Sequence, residues 1–225
     1  MKHDKNRKRL VIAVDGPAGS GKSSAGRLLA ERLSYRYIDT GAMYRAAAVA
    51  AHRSGVSVED DEALEQLMKD VTVSFVSGRI HLDGEDVSRA IREPEIDGLS
   101  SAVSARAPIR TALIAVQRRM AETSDVVMEG RDIGTVVLPD ADVKFFITAS
   151  AEVRGERRYR ERITRGETAD LSEVIEAIKN RDERDAHRKL SPLVPADDAE
   201  VIDTSTMNLD EVVDYMMERV KKHGI

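Results

Sequence analysis

The stretch Gly16-Pro-Ala-Gly-Ser-Gly21-Lys22-Ser23 constrains this chain more than any other part of it. It follows the pattern G-x-x-x-x-G-K-[ST]. An apolar run at residues 10–14, closed by Asp15, stands immediately before it. Apolar residues at Ala25, Leu28, Leu29 and Leu33 follow at a helical period. A buried parallel strand, a tight turn and a helix are therefore expected in that order. Glycines let backbone N–H groups turn inward around a phosphate without a side-chain clash. The positive end of the following helix adds to that field. Lys22 can bridge β- and γ-phosphates, and the Ser23 hydroxyl can ligate Mg²⁺, largely alongside waters and phosphates. Gly16, Pro17, Ala18, Gly19, Ser20, Gly21, Lys22, Ser23 and Ser24 are thus the expected ATP-binding residues.

Such a loop does not say what accepts the phosphoryl group, so the remainder of the chain must. Its 225 residues suffice for one domain with an insertion or two. The absence of cysteine excludes a disulfide scaffold and thiolate catalysis, and suits a reducing cytoplasm. No apolar run approaches the ~20 residues of a membrane span. Residues 1–9 are basic without the apolar stretch of a signal peptide, and read as a solvated lead-in to the first strand. A net charge of −5 argues against a general nucleic-acid binder. Arginine is nevertheless dense at residues 154–165 and again at 181–188, which suits a small anionic ligand held at one place.

A second strand is expected at residues 35–39 and an alanine-rich helix at 41–52, closed by Ser54-Gly55. The middle then changes character. After a helix near residues 61–68, the β-branched run 71–76, the run 79–83 and a turn at 84–86 read as a small antiparallel unit. Pro94 opens a helix, and another runs over 108–122. Further buried strands are expected at 125–128, 143–147 and 200–203, with a last helix at 209–222. Two helical segments, broken at 164–167, lie between the last two strands. Strand–helix alternation of this kind points to an α/β sheet with helices on its faces.

Candidate acceptor residues leave the carboxyl ends of these strands, where open α/β sheets bind ligands. Thr40 and Tyr44 offer hydroxyls, and Arg45 can pair with a phosphate in bidentate fashion. The third strand delivers Glu129-Gly-Arg-Asp132 to the same edge. Glu129 suits the water shell of a metal and Arg131 an acceptor phosphate. The arginines at 154, 157, 158, 160, 162 and 165 flank a glycine-containing tip that could close over a triphosphate. An arginine supplied in this way contributes on the order of 10³–10⁵ in rate in known nucleotide hydrolases. Arg181, Asp185 and Arg188, spaced i, i+4, i+7, are expected on one helix face, matched to a phosphate and a ribose hydroxyl. Surface salt bridging is the alternative for the single arginines of the 154–165 segment.

With these residues assembled, the chain resembles the bacterial cytidylate kinases, over essentially its whole length after residue 8. The matching stretches are Asp15-Gly-Pro-Ala-Gly-Ser-Gly-Lys-Ser23, Asp39-Thr-Gly-Ala-Met-Tyr-Arg45, Gly130-Arg-Asp-Ile-Gly134, Arg181-Asp-Glu-Arg-Asp185 and Ser191-Pro-Leu-Val-Pro195. The first is common to many kinases; the next three in this order are far more specific. The resemblance implies that Ser101, Arg110 and Asp132 hold the cytosine ring. It places Arg181 and Asp185 at the sugar, and Arg45, Arg131 and Arg188 at the CMP phosphate. It puts Arg157 in a lid over ATP and the antiparallel unit in a monophosphate-binding insertion. Together with Thr40, Tyr44 and Gly130 these make the expected CMP site; Lys22, Arg131, Arg157 and Arg188 are the expected catalytic residues.

The expected fold is a doubly wound α/β core with a five-stranded parallel sheet, a small α+β monophosphate-binding insertion and an arginine-rich lid. The core takes residues 9–61 and 104–225, with the lid at about 154–168 and the insertion at 62–103. The expected reaction is transfer of the γ-phosphoryl group of ATP, with Mg²⁺, to CMP or dCMP. The alternatives are a kinase for another small acceptor, such as UMP or shikimate, and a regulatory nucleotide-binding module without turnover. A GTPase is disfavoured because the chain has no Asn-Lys-x-Asp guanine reader. The absence of a hydrophobic dimer stripe leads to the expectation of a cytoplasmic monomer, with neither nucleic acid nor a membrane as partner.

Overall fold

The structure is a computed structural model and describes residues 9–188 and 190–223. The expected basic lead-in, apart from Arg9, lies outside the described residues. The chain divides into two compact units. One is drawn from Met1–Ile38 and Thr123–Ile225, the other is Asp39–Glu122.

The first unit is built on a five-stranded sheet. Its strands are β1 (Val11–Asp15), β2 (Arg36–Asp39), β6 (Val126–Glu129), β7 (Val143–Thr148) and β8 (Glu200–Asp203), in the order β2-β6-β1-β7-β8. β1 is central and parallel to both neighbours, with Val14 opposite Glu129 and Asp15 opposite Phe146. The chain crosses from one side of β1 to the other between β6 and β7, the switch point at which α/β sheets bind ligands. Ile12, Val14, Val127, Phe145 and Ile147 turn one way, onto Ala25 and Leu29 of α1 (Lys22–Leu33) and Val213, Met216 and Val220 of α8 (Leu209–Lys222). Ala13 and Met128 are equally buried. Strands covered on both faces read as unbroken apolar runs, which is why they stand out in the sequence. Burying each large apolar side chain contributes about 1.5–3 kcal/mol. The unit is completed by α6 (Ala151–Thr164) and α7 (Leu171–Ala186), which pack so closely that a Cβ on Gly155 would lie 2.3 Å from Ile175 Cγ1.

The second unit gathers α2 (Thr40–Ser54), α3 (Asp61–Asp70), α4 (Pro94–Val103) and α5 (Ala107–Ala121) with a three-stranded antiparallel sheet. It takes in the expected insertion, 62–103, together with α2 and α5. Its sheet runs β3 (Val73–Val76), β4 (Arg79–Leu82), β5 (Glu85–Asp86). Residues 84–86, expected as a turn alone, therefore include a third strand, with Glu85 opposite Leu82 and Asp86 opposite His81. The alanine run of α2 is its buried stripe: Ala46, Ala47 and Ala48 are fully enclosed, and small side chains let neighbouring elements approach.

Candidate active site

Gly16-to-Ser23 forms the link between β1 and α1, as its pattern requires. Gly16 has φ of 148°, and a Cβ there would lie 2.0 Å from the carbonyl oxygen of Ile147 on β7. Only glycine fits this approach. Gly21, at φ 87°, is the N-cap of α1 and supplies no side-chain cap. By contrast Asp39, Asp60, Ser150, Asp170 and Asn208 each cap their helix with a side-chain oxygen. The first N–H groups of α1 are thus left for an anion. Lys22 is buried, and its Nζ donates to the Pro17 carbonyl at 3.1 Å, which holds the ammonium over the loop.

β6 brings Glu129 beside this loop. The Ser23 hydroxyl donates to its carboxylate, at 2.8 and 2.9 Å from the two oxygens. Glu129 is 3% exposed, so a buried carboxylate and a hydroxyl face each other at the start of α1. These hard oxygen donors suit Mg²⁺, which takes one or two protein ligands and completes its shell with phosphates and water. Among the described residues no group of three or more His, Cys, Asp or Glu forms a metal cluster, so the phosphates would have to supply the other ligands.

Past Glu129 the chain carries Arg131 and Asp132 and enters a π-helical turn, Ile133–Val137. Such turns are rare and concentrate at functional sites. Arg131 meets Asp185 of α7 at 3.5 Å. Arg188 meets the other oxygen of Asp185 at 2.6 Å, and Arg181 lies 4.0 Å away. Arg188 does not share the helix face expected for it: α7 ends at Ala186, and Arg188 turns back from beyond the cap at His187. Asp185 is 1% exposed. Burial, then the charge of Arg181, push the Arg131 pKa down from its usual value, while Asp185 and Glu129 act against them. Three cations around one carboxylate leave a surplus of positive charge within this group, which could attract a phosphate.

On α6 the arginines divide into two sets. Arg154, 5% exposed, donates to both oxygens of Asp182 (3.0 and 2.5 Å), to Ala149 O and to Ala18 O. It is a strut between α6, α7 and the phosphate loop. Arg157 reaches the same loop, donating to Ser20 O at 3.4 Å and to the hydroxyl and carbonyl of Thr204. Arg158, Arg160, Arg162 and Arg165 pair with Glu156, Glu161 and Glu167 of the same segment. Exposed pairs of this kind contribute little each.

In the second unit, Asp39 caps α2 through Ala42 N–H and also accepts from Arg45 at 3.2 Å. Thr40 and Tyr44, one turn apart on α2, are buried. Arg110 of α5, 6% exposed, places its guanidinium 5.8 Å from the Tyr44 ring centroid. Ser101 lies half-buried on α4. Thr40, Tyr44, Arg45, Ser101 and Arg110 therefore belong to one unit, and Gly130, Arg131, Asp132, Arg181, Asp185 and Arg188 to the other.

A family model described as cytidylate kinase matches residues 12–222. The chain is 49% identical over 217 residues to a cytidylate kinase of Geobacter sp. (strain M21), covering 95% of this chain and 93% of that protein. It is 45% identical to a cytidylate kinase of Ligilactobacillus salivarius, covering 96% and 99%. The chain belongs to the cytidylate kinase family. An uncharacterized protein from Eubacterium ventriosum, 14% identical, shares the fold with a TM-score of 0.55 over 95% of this chain and 99% of that one.

Within this cytidylate kinase fold, four residues near the phosphate loop carry contacts that motif reading assigned no role. Thr204, buried just after β8, lies 3.0 Å from Ser20 O and positions Arg157. Thr148 offers its carbonyl to the Thr204 N–H at 2.8 Å. Asp182 anchors Arg154, and Asp15 accepts two backbone N–H bonds from the π-helical turn. The available signal was membership of Asp15 and Asp182 in the family stretches; Thr204 and Thr148 had none.

Proposed function

We propose that the chain transfers the γ-phosphoryl group of ATP to CMP or dCMP, giving ADP and CDP or dCDP by direct in-line displacement. The observation that carries this is the set of Arg131, Arg181 and Arg188 around buried Asp185, in a chain whose full-length relatives are named cytidylate kinases. ATP belongs on residues 16–24, with Lys22 and Arg157 on its phosphates. Arg45, Arg131 and Arg188 receive the CMP phosphate, Arg181 and Asp185 the sugar, and Ser101, Arg110 and Asp132 the base. Arginine offers donors and aspartate an acceptor, which together match the O2, N3 and amino edge of cytosine. Thr40, Tyr44 and Gly130 complete the acceptor assignment, and residues 62–103 are assigned as the monophosphate-binding insertion.

Mg²⁺ bound with ATP would be held by Ser23, with Glu129 ordering its water shell, and would supply charge neutralisation at the phosphates. The acceptor phosphate is already anionic near neutral pH, so no general base is needed. The protein's contribution is positioning and charge complementarity by Lys22 and the arginines. A segment at about 154–168 that closes over ATP would keep water from the γ-phosphate. The cysteine-free composition fits a cytoplasmic setting.

Asp132→Ala is expected to raise the KM for CMP by about tenfold or more, from the loss of a charged hydrogen-bond partner, and to leave the KM for ATP unchanged. Steady-state assays varying each substrate check it. Equal losses for both substrates would make Asp132 a structural residue.

A further inference from the structure

Asp15 ends β1, one residue before Gly16, and is 5% exposed. It takes no place in the phosphate or arginine contacts above. Its two carboxylate oxygens accept from the backbone N–H groups of Ile133 and Gly134, each at 2.8 Å. These residues open the π-helical turn and follow Arg131 and Asp132 directly. The same turn folds back on Asp132, whose carbonyl accepts from Val136 N at 2.9 Å and Val137 N at 3.1 Å. The peptide unit that follows Asp132 is therefore held through both its groups, its carbonyl by the turn and its N–H by Asp15. Little slack remains: a Cβ on Gly134 would meet Lys144 Cδ at 3.1 Å and Asp15 Oδ2 at 3.5 Å. The charged groups that act on it are Asp132 and Arg131; the stem of Lys144 lies against Gly134, and its ammonium is occupied by Pro139 O and Asp198.

We propose that Asp15 is a positioning residue for the acceptor site: its carboxylate ties the loop bearing Arg131 and Asp132 to the strand that begins the phosphate loop. The inference rests on the assignment of Arg131 and Asp132 to CMP. A carboxylate is suited to this task because it presents two acceptor oxygens and no donor, so it can receive two adjacent N–H groups at once. Burial pushes its pKa up to about 6, against the pull of the Gly134 and Ile133 N–H groups, with Asp132 raising it further and Arg131 opposing. At neutral pH the group is still ionised and keeps both bonds. Asparagine has nearly the same shape but turns an NH₂ toward one of the two N–H donors. It would loosen the loop without altering residues 16–23.

The test is Asp15→Asn beside Asp132→Ala, with CMP and ATP varied separately. Asp15→Asn is expected to raise the KM for CMP about tenfold and to keep the KM for ATP within about twofold. If Asp132→Ala raises the KM for CMP and Asp15→Asn does not, or raises both KM values alike, the inference is overturned and the CMP assignment stands. If Asp132→Ala leaves the KM for CMP unchanged, the assignment falls and the inference with it. Should Asp15→Asn lack a cooperative urea transition, amide exchange in the unaltered chain decides. The Ile133 and Gly134 amides are expected to slow by about tenfold when CMP is added and not when ATP is added. No response to CMP overturns the proposal.

Discussion

Lys22→Ala is expected to lower phosphoryl transfer by about 10²–10³-fold or more, while unfolding free energy changes by no more than about 1 kcal/mol. The two parts of this expectation have separate causes. The ammonium makes a 3.1 Å bond to Pro17 O within its own loop, a contact that does not hold α1 to the sheet. Its neighbours in α1, Ala25 and Leu29, keep the helix docked. During transfer, however, negative charge shifts between the phosphates, and a fixed cation that follows that shift acts on the barrier directly. Single-turnover rates at saturating ATP and CMP, with urea unfolding of the same samples, measure both. A folded variant that keeps its rate would remove the loop from the mechanism.

Asp185→Ala carries the largest expected loss of stability, about 3–5 kcal/mol. Asp185 is 1% exposed and is met by Arg131 at 3.5 Å and Arg188 at 2.6 Å. Without it these cations and Arg181 repel one another in a partly enclosed place, where water relieves them poorly. Their geometry is lost along with their counter-charge, so CMP turnover falls as well. Asp185→Asn retains the shape and one acceptor and is expected to lose less. Urea unfolding of both variants checks the order. An alanine variant as stable as the original chain would show that the arginines do not depend on this carboxylate.

The parts of this fold that could be read from sequence are those with a local physical signal. The inner strands β1, β6 and β7 are mostly enclosed and appear as apolar runs, while the edge strands β2 and β8 are partly exposed and each bury one isoleucine, Ile38 and Ile202. The phosphate loop is contiguous and its glycines have no substitute. β5, by contrast, consists of Glu85 and Asp86, two exposed charged residues with no apolar alternation. The turn at Ile133–Val137 follows a π-helical hydrogen-bond pattern that neither a strand nor an α-helix period describes.

The site follows the same division. Residue types around the arginine cluster were legible, but the pairing joins the segment after β6 to α7 across the chain, and no spacing rule reaches that far. Arg188 looked like a continuation of α7 because its spacing from Asp185 fits a helix; the helix instead stops at Ala186. Arg154 and Arg157 lie three residues apart on α6, and only the resemblance, not their residue type or spacing, singles out Arg157. One is a buried strut to Asp182 and Ala18, and the other is held by Thr204 over Ser20. Which carbonyls and hydroxyls face each arginine is decided by packing, and Thr204 sits in a short segment whose sequence gives no hint of it.

ADP release from ATP·Mg²⁺, with CMP, dCMP, UMP, AMP, GMP, TMP and shikimate offered one at a time, decides which acceptor the enzyme takes. Strong turnover is expected with CMP and dCMP, and little with the others. Turnover with a different acceptor alone, or ATP binding without turnover on any of them, would contradict this expectation.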